Sequence, residues 1–499
     1  MRNKQIAGGV ILSMLSQVIT IIVGLVYTPI MIRLLGQNEY GLYQLVQSVV
    51  DYLNLMNFGF SGAYIRYYSM AKAKNDEKEV ANINGMFMKV FLFIGILCLL
   101  VGAVLLLNIN ILGSQLTDSD YVVARKLLII LVINLSLSFP NCFFVVFMSA
   151  KEEFIFQKAV NIAINILIPI LNLPILIMGG GSVGIVAITL LLTILRFIVN
   201  AWFCIIKLKL KMRLGYFNKK IFSGLLGYTF FIFLSDLVDQ LNSNVDKLLL
   251  GRIMGTIAVA IYSVGFSLKN YYTILTWIVP EMYIPEVNKM AIENNERRLT
   301  EIFTFIGRIN NYLVLLIISG FAIFGRCFIY LWTGPEYHLS YYVAFILMIT
   351  GYIPAVQTIG VNIQNAKNMH RMRSIVYFIV ACVNVILSIF LIKYWGVIGT
   401  CLGTLIATIM GHGIFMNYYY KKYLKLDIAF FWKSLSKWYP FAGAAMLLSY
   451  LVIKNFVITT WSGLIIGMSL YLVLYILLLM FFGLTGEERI LVVNKLKRR

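Results

Sequence analysis

The sequence predicts an all-α polytopic membrane protein with about fourteen transmembrane helices, arranged as two six-helix lobes and an accessory pair. Three observations carry this: apolar runs long enough to cross a bilayer, basic residues that alternate between the loops, and a pattern that recurs at a nearly constant offset. Of the 499 residues, 60% are apolar and 13% charged, and the mean hydropathy is +0.85. A soluble domain carries about twice that charged fraction. A helix needs roughly 20 residues to cross the hydrocarbon core. Fourteen runs meet this length: 6–32, 40–64, 85–107, 127–149, 156–177, 183–206, 222–241, 253–278, 303–325, 341–365, 374–393, 396–418, 438–458 and 461–482. Runs seven and eight are the weakest, because Asp246, Lys247 and Arg252 interrupt them. The first run is too long for a signal peptide and reads as a mature helix.

The repeat is visible in short matches. Gly36–Ser48 reads GQNEYGLYQLVQS and Gly255–Ser267 reads GTIAVAIYSVGFS, with Gly, Tyr and Ser in register at an offset of 219. Asp51-Tyr52 then falls on Asn270-Tyr271, and Asn165 on Asn384, at the same offset. Pro140 matches Pro354, Ala150-Lys151 matches Ala366-Lys367, and Val183-Gly184 matches Trp395-Gly396 at slightly shorter offsets. Each repeat holds an even number of helices, so both insert the same way up, as in parallel-repeat transporters. The expected divisions are 1–210 for the N-terminal lobe, 211–425 for the C-terminal lobe, and 426–499 for helices thirteen and fourteen with a basic tail.

Charge sets the orientation. With both termini on the cytoplasmic side, the inner segments hold roughly four times as many Lys and Arg as the outer ones. They include Arg66, Lys72, Lys151, Lys207–Lys220, Arg297, Arg308, Lys421–Lys437 and the tail at Arg489, Lys495, Lys497, Arg498 and Arg499. The net charge of +21 is therefore an inner-face charge set toward anionic lipid and needs no nucleic acid. Six cysteines and three histidines show no disulfide framework or metal-ligand spacing. No phosphate-binding GxxxxGK[ST] loop and no large extramembrane loop is present, so neither an ATP site nor a cofactor is expected.

Polar residues within the spans are the candidate site, since such groups facing lipid are costly. Tyr40, Gln44, Gln47, Asp51 and Asn54 share one helical face, as the wall of a polar cavity or a hydrogen-bonded helix interface. Asn161, Asn165 and Asn172 form a second stripe, and Ser235, Asp239, Asn242 and Asp246 a third, with Asp236 alongside. Asp236 and Asp239 have two readings: binding of a coupling proton or sodium ion, or pairing with Lys247 or Arg252. Arg196 and Lys269 either pair with Asp51 or Asp239 or grip an anionic substrate, for which a guanidinium suits a pyrophosphate. Arg33 and Arg66 at helix ends are weaker cations that can snorkel. The matched Pro140 and Pro354 are hinges or fixed bends.

The opening PIMIRLLGQNEYGLYQLV, Pro29 to Val46, together with the six-plus-six-plus-two layout, resembles the polysaccharide transporters of the MOP superfamily, the group that includes multidrug and toxin extruders. The resemblance implies two lobes around a central cavity in the bacterial inner membrane. It implies a non-enzymatic flippase that moves undecaprenyl-pyrophosphate-linked oligosaccharide for O-antigen, capsule or a similar polymer, in contact with polymerase machinery. By that resemblance Arg196 and Lys269 are the cavity cations and Gln44, Gln47, Asp51 and Asn54 the sugar-facing wall. The lipid tail passes along the lobe opening or a groove at helices thirteen and fourteen. The alternatives are a multidrug extruder, a lipid II flippase, and, more remotely, a membrane glycosyltransferase or polymerase.

Overall fold

A computed structural model of the chain describes residues 2–113, 115–216, 219–293, 295–367, 369–453 and 459–484. The basic tail expected at Arg489, Lys495, Lys497, Arg498 and Arg499 lies outside the described residues, as does Lys454. So do the side chains of Arg2, Lys4, Lys219, Lys220 and Arg371.

Among the described residues the chain is helical, with no strand, and each of the fourteen apolar runs falls in helix. Helices suit this chain because a bilayer offers no water to backbone N–H and C=O groups, and a helix satisfies them within one segment. The chain divides into two units, Met1–Ser263 and Val264–Arg499. The first holds α1 (Arg2–Leu53), α2 (Phe60–Ala73), α3 (Glu77–Leu107), α4 (Asp118–Ala150), α5 (Phe154–Ile177), α6 (Gly181–Trp202), α7 (Lys219–Met254) and the first turns of α8 (Thr256–Ile292). This division falls beyond the expected boundary at 210/211, because α7 packs on α1 and α2.

In the second unit α8 continues, followed by α9 (Glu296–Thr333), α10 (His338–Thr350), α11 (Tyr352–Val356), α12 (Thr358–Ala366), α13 (His370–Thr408), α14 (Asn417–Tyr423), α15 (Ile428–Ser436), α16 (Tyr439–Ile453) and α17 (Trp461–Leu478).

Among the described residues eight helices, some of them fused, are long and apolar enough to cross a membrane by length and composition. Two of these, Leu12–Ala73 and Met372–Tyr423, each hold two runs. The remaining four runs lie in α7, in α8, in the broken α10–α12, and in α16, which is described only to Ile453.

The repeat has a conformational signature. Gly36 (φ 76°) and Gly255 (φ 84°), which the sequence places in register, both take a left-handed φ where the chain passes from one span to the next. The later match needs a shift. Gly181 (φ 58°), not Gly184, shares the left-handed φ of Gly396 (φ 54°) at the entry to the last helix of its repeat. Low-complexity apolar sequence allowed that three-residue slip.

Two runs expected as single helices are broken. Run two stops at Leu53, passes through a 3-10 turn at Asn54–Asn57, and restarts at Phe60 after Phe58 (φ 45°) and Gly59 (φ 67°). A left-handed phenylalanine is unfavourable by roughly 1–2 kcal/mol, and its ring stacks on Phe233 at 5.0 Å. Run ten breaks after Thr350 and again after Val356. There the buried Asn310 of α9 donates to Thr276 O at 3.1 Å and to Ala355 O at 2.8 Å. A side-chain amide thereby takes up carbonyls that the broken and proline-bearing helices leave open.

The accessory pair packs on α9. Trp438 Nε1 donates to the Tyr475 hydroxyl at 2.7 Å, which donates to Tyr312 O at 2.8 Å, among the buried Phe324, Ala442, Ala445 and Leu464. In lipid such polar ties and close packing, rather than the hydrophobic effect, hold helices together. The amphipathic α15 was not foreseen. Asp427 caps it by accepting from Phe430 N at 2.9 Å, and Ile428, Phe431 and Leu435 are buried, Phe431 lying 4.5 Å from the Phe303 ring.

Gly36 also has ψ 167°, a combination that side-chain-bearing residues avoid. Gly36→Ala is expected to destabilise the purified protein by about 1–3 kcal/mol, read as a lower thermal midpoint. Gly62→Ala, where no atom lies within 4 Å of the added carbon, is expected to leave it unchanged. Tyr475→Phe removes the second donor from the Tyr312 carbonyl and leaves the Trp438 indole without its acceptor. A loss of about 1–3 kcal/mol is expected, read in the same melt.

Candidate functional site

The candidate site within the first unit begins on the second half of α1. Leucine and valine at positions 42, 45, 46, 50 and 53 are buried, and Gly41 brings the backbone close to α8: a carbon added there would fall 2.0 Å from Thr256 O. The polar stripe lies on another face of the same helix. Gln44 Nε2 donates to the Tyr40 hydroxyl at 3.2 Å, and Gln47 Nε2 donates to Asp51 Oδ1 at 2.7 Å. Gln44, Gln47 and Asp51 are half-buried. Asn54 departs from the expected stripe, because the helix ends one residue before it; it is exposed in the 3-10 turn.

Asp51 lies within electrostatic range of a cation that sequence reasoning did not assign to it. Lys247 of α7 is buried and interacts electrostatically with Asp51. Its Nζ donates to Asn244 Oδ1 at 3.4 Å, and Asn244 Nδ2 donates to Gln240 Oε1 at 2.7 Å. The neighbouring Asp246 is 1% exposed and accepts from the Tyr262 hydroxyl at 2.9 Å. Charges that interrupt an apolar run are thus absorbed by packing against α1 and α8. The available signal was an acid in run two and a base between runs seven and eight, each following or preceding a repeat-matched glycine.

Nearer the ends of the same helices, polar contacts continue. Thr256 Oγ1 donates to Asn38 Oδ1, Asn38 Nδ2 donates to Asp120 Oδ1 at 3.0 Å, and Glu39 Oε1 accepts from Ser182 N and Oγ at 2.6 and 2.7 Å.

Arg196 lies half-buried on α6. Its Nε is buried and makes no hydrogen bond among the described residues. The titratable group that it influences is Cys142, whose sulfur is 3.3 Å from Ser61 Oγ. Neither Asp51 nor Asp239 is recorded as its ion-pair partner among the described residues. Asn161 is half-buried on α5, and Asn165 Nδ2 donates to Thr20 Oγ1 of α1 at 3.2 Å. Asp236 is half-buried on α7, whereas Asp239 is exposed. Arg33 and Arg66 are exposed. Pro140 is buried inside the unbroken α4, where Ser136 Oγ donates to Gly95 O at 2.8 Å.

In the second unit Lys269 is half-buried on α8 with its ammonium 5.3 Å from the Phe266 ring centre. Pro354 sits in the short α11 between the two breaks, so the matched prolines serve different local structures. An apolar groove of 440 Å³ runs between α9 and α17, lined by Phe305, Ile309, Leu313, Leu316, Leu472 and Ile476 among others. No group of three or more His, Cys, Asp or Glu is placed to hold a metal ion among the described residues.

Comparison with known proteins gives the fold a name. No curated protein matches the sequence. Solved structures do match. Lipid II flippase MurJ in an inward closed conformation aligns with a TM-score of 0.69 at 17% identity, over 95% of this chain and 98% of that one. An inward-facing multidrug resistance MATE transporter of the MOP superfamily aligns at 0.68 and 14% identity, over 82% and 96%. A MOP superfamily transporter from Pyrococcus furiosus, whose binding pocket is described as reversed in polarity, aligns at 0.61 and 13% identity, over 85% and 96%. At these identities the likeness establishes the fold alone, one shared with those transporters. The sequence itself goes further, because the family described as polysaccharide biosynthesis protein matches residues 6–279, more than half of the chain, and the protein belongs to that family.

Proposed function

We propose that the protein is a non-enzymatic flippase that carries an undecaprenyl-pyrophosphate-linked oligosaccharide across the bacterial inner membrane by alternating access, for O-antigen, capsule or a related polymer. Both termini face the cytoplasm in this reading. The observation that carries it is Arg196, a cation within an apolar span whose Nε has no hydrogen-bond partner among the described residues. A cation kept inside a membrane protein is costly and marks a pathway for charge. A planar guanidinium presents paired donors to two phosphate oxygens, which suits a pyrophosphate head group.

Other features support the same reading. Gln44, Gln47 and Asp51 offer amide and carboxylate groups to sugar hydroxyls, and Lys269 supplies a second cation in the other unit. The apolar groove between α9 and α17 suits a prenyl tail that stays in lipid while the head group crosses. Asp236 and Asp239 are proposed to couple transport to a proton or sodium gradient, and the breaks around Pro354 to serve as bending points. A contact with polymerase machinery on the outer side completes the proposal.

A lipid II flippase is the second reading. It is favoured by the match to MurJ, which extends over nearly the whole of this chain, whereas the MATE match covers 82%. Both readings require a polyprenyl pyrophosphate; they differ in the sugar.

Arg196→Ala is expected to lower translocation of lipid-linked oligosaccharide in proteoliposomes by about tenfold or more, the loss of one charge-assisted contact of roughly 1.5–3 kcal/mol. Abundance in the membrane should stay unchanged, and Arg196→Lys should recover part of the rate; wild-type transport by the alanine variant would remove Arg196 from the mechanism. Asp51→Asn is expected to lower stability by about 1–3 kcal/mol by taking the counter-charge from Lys247. Adding Lys247→Met should restore most of that, and additive losses would show that the two do not act as a pair. Replacing both Asp236 and Asp239 by Asn is expected to abolish the dependence of transport on an imposed ion gradient, measured by collapsing the gradient with an ionophore.

A further inference from the structure

The first unit carries a pocket of 490 Å³ at the end of the bundle where basic residues concentrate. It lies among the ends of α2, α3 and α4 and the segment 208–216 that follows α6. Four lysines line it: Lys72, Lys151, Lys209 and Lys211. The two carboxylates on its wall are already engaged. Glu77 pairs with Lys211 at 2.9 Å, and Asp76 caps α3 by accepting from Glu79 N at 2.9 Å. Among the described residues Lys72 and Lys209 enter no salt bridge, and the Lys151 ammonium sits 5.7 Å from the Phe147 ring centre. The pocket therefore holds more positive charge than its own acids neutralise.

The wall that presents Lys209 and Lys211 is fixed by the fold. Arg213 N donates to Ala81 O and Asn84 Nδ2 donates to Lys211 O, each at 2.9 Å. Asn84 Oδ1 in turn accepts from the buried Tyr64 hydroxyl at 2.7 Å, and Lys89 Nζ donates to Tyr216 O at 2.9 Å. At Gly85 the segment comes so close to α3 that an added carbon would lie 2.2 Å from Arg213 O. Lys209 itself is held at φ 50°, a conformation unfavourable for a side-chain-bearing residue and maintained only where the surroundings enforce it. A random basic surface loop needs none of these restraints.

We propose that this pocket is a binding site for the phosphate head group of a membrane lipid, and that the pyrophosphate of the flippase substrate docks there before translocation. The second half of the statement rests on the function proposed above; the first does not. Lys72, Lys151 and Lys209 bind the phosphate oxygens, with Lys211 turned toward Glu77. Ammonium groups act as point charges and suit a head group arriving in varied orientations. The bulk anionic phospholipid offers the same chemistry, and the experiment separates the two sources.

The full chain is placed in phosphatidylcholine nanodiscs and titrated with farnesyl diphosphate. Wild type is expected to bind, and K72Q/K151Q/K209Q to bind roughly a hundredfold more weakly, at about fivefold per cation. K72R/K151R/K209R should bind nearly as wild type, and the control K421Q/K433Q/K437Q should be unaffected. Equal losses in the pocket and control triples, or an unchanged pocket triple, would overturn the site. Nanodiscs containing phosphatidylglycerol identify the source. Unchanged farnesyl diphosphate binding assigns the site to the prenyl diphosphate, whereas displacement that the pocket triple abolishes assigns it to bulk lipid and overturns the docking role. If the site binds as expected while wild type moves no lipid-linked oligosaccharide, the flippase reading fails and the phosphate site stands.

Discussion

The requirement that every backbone polar group inside the bilayer find its partner within the protein governs this structure. It makes the chain helical and restricts where a helix can be interrupted. The two interruptions within predicted spans illustrate the constraint from opposite directions. At Asn54–Gly59 the chain uses a local 3-10 turn and two left-handed residues, so neighbouring backbone groups satisfy one another. At the break between Gly351 and Gln357 a donor comes from another helix, Asn310 Nδ2 to Ala355 O, while the same amide also donates to Thr276 O, four residues before Pro280 in α8.

The same constraint acts on charge. A bundle can keep a lysine and aspartates within membrane depth only when hydrogen bonds and opposite charge surround them. Lys247, Asp51, Asn244, Asp246 and Tyr262 meet that condition together. Arg196 meets it only in part, since Nε has no acceptor among the described residues. Among the described residues, Lys247 and Asp246 are thus taken up by the packing of α1, α7 and α8, whereas Arg196 on α6 keeps an unbonded Nε.

Much of the fold was legible in the sequence because hydropathy reports burial in lipid directly. Among the described residues all fourteen runs fall mainly in helix, two of them broken, including runs seven and eight, where Asp246 and Lys247 weakened the signal. The duplication was legible at Gly36 and Gly255, where only glycine suits the turn, and slipped by three residues at Gly184, where apolar neighbours supply no landmark. Breaks were harder to read. Asn54, Asn57 and Gly59 are turn-forming residues, but the leucines and phenylalanines between them keep the run apolar. The candidate polar and charged residues, Arg196 and the α1 stripe, were legible as residue types within apolar runs. Which acid met which base was not, because pairing between α1 and α7 depends on helix rotation over nearly 200 residues of intervening chain. The lysine pocket was hidden for a related reason. Its residues read as ordinary inner-face charge until the segment after α6 is seen folded back along α3.

Asn310 has one more implication. Both hydrogens of a single planar amide are committed, one to a carbonyl of α8 and the other to a carbonyl of α11. The two acceptors are thereby kept at a set separation, like points joined by a tie rod. Any rearrangement of the second unit that preserves these bonds must carry the middle of α8 and the short α11 along together, and bending is left to the flanking residues at 351 and 357.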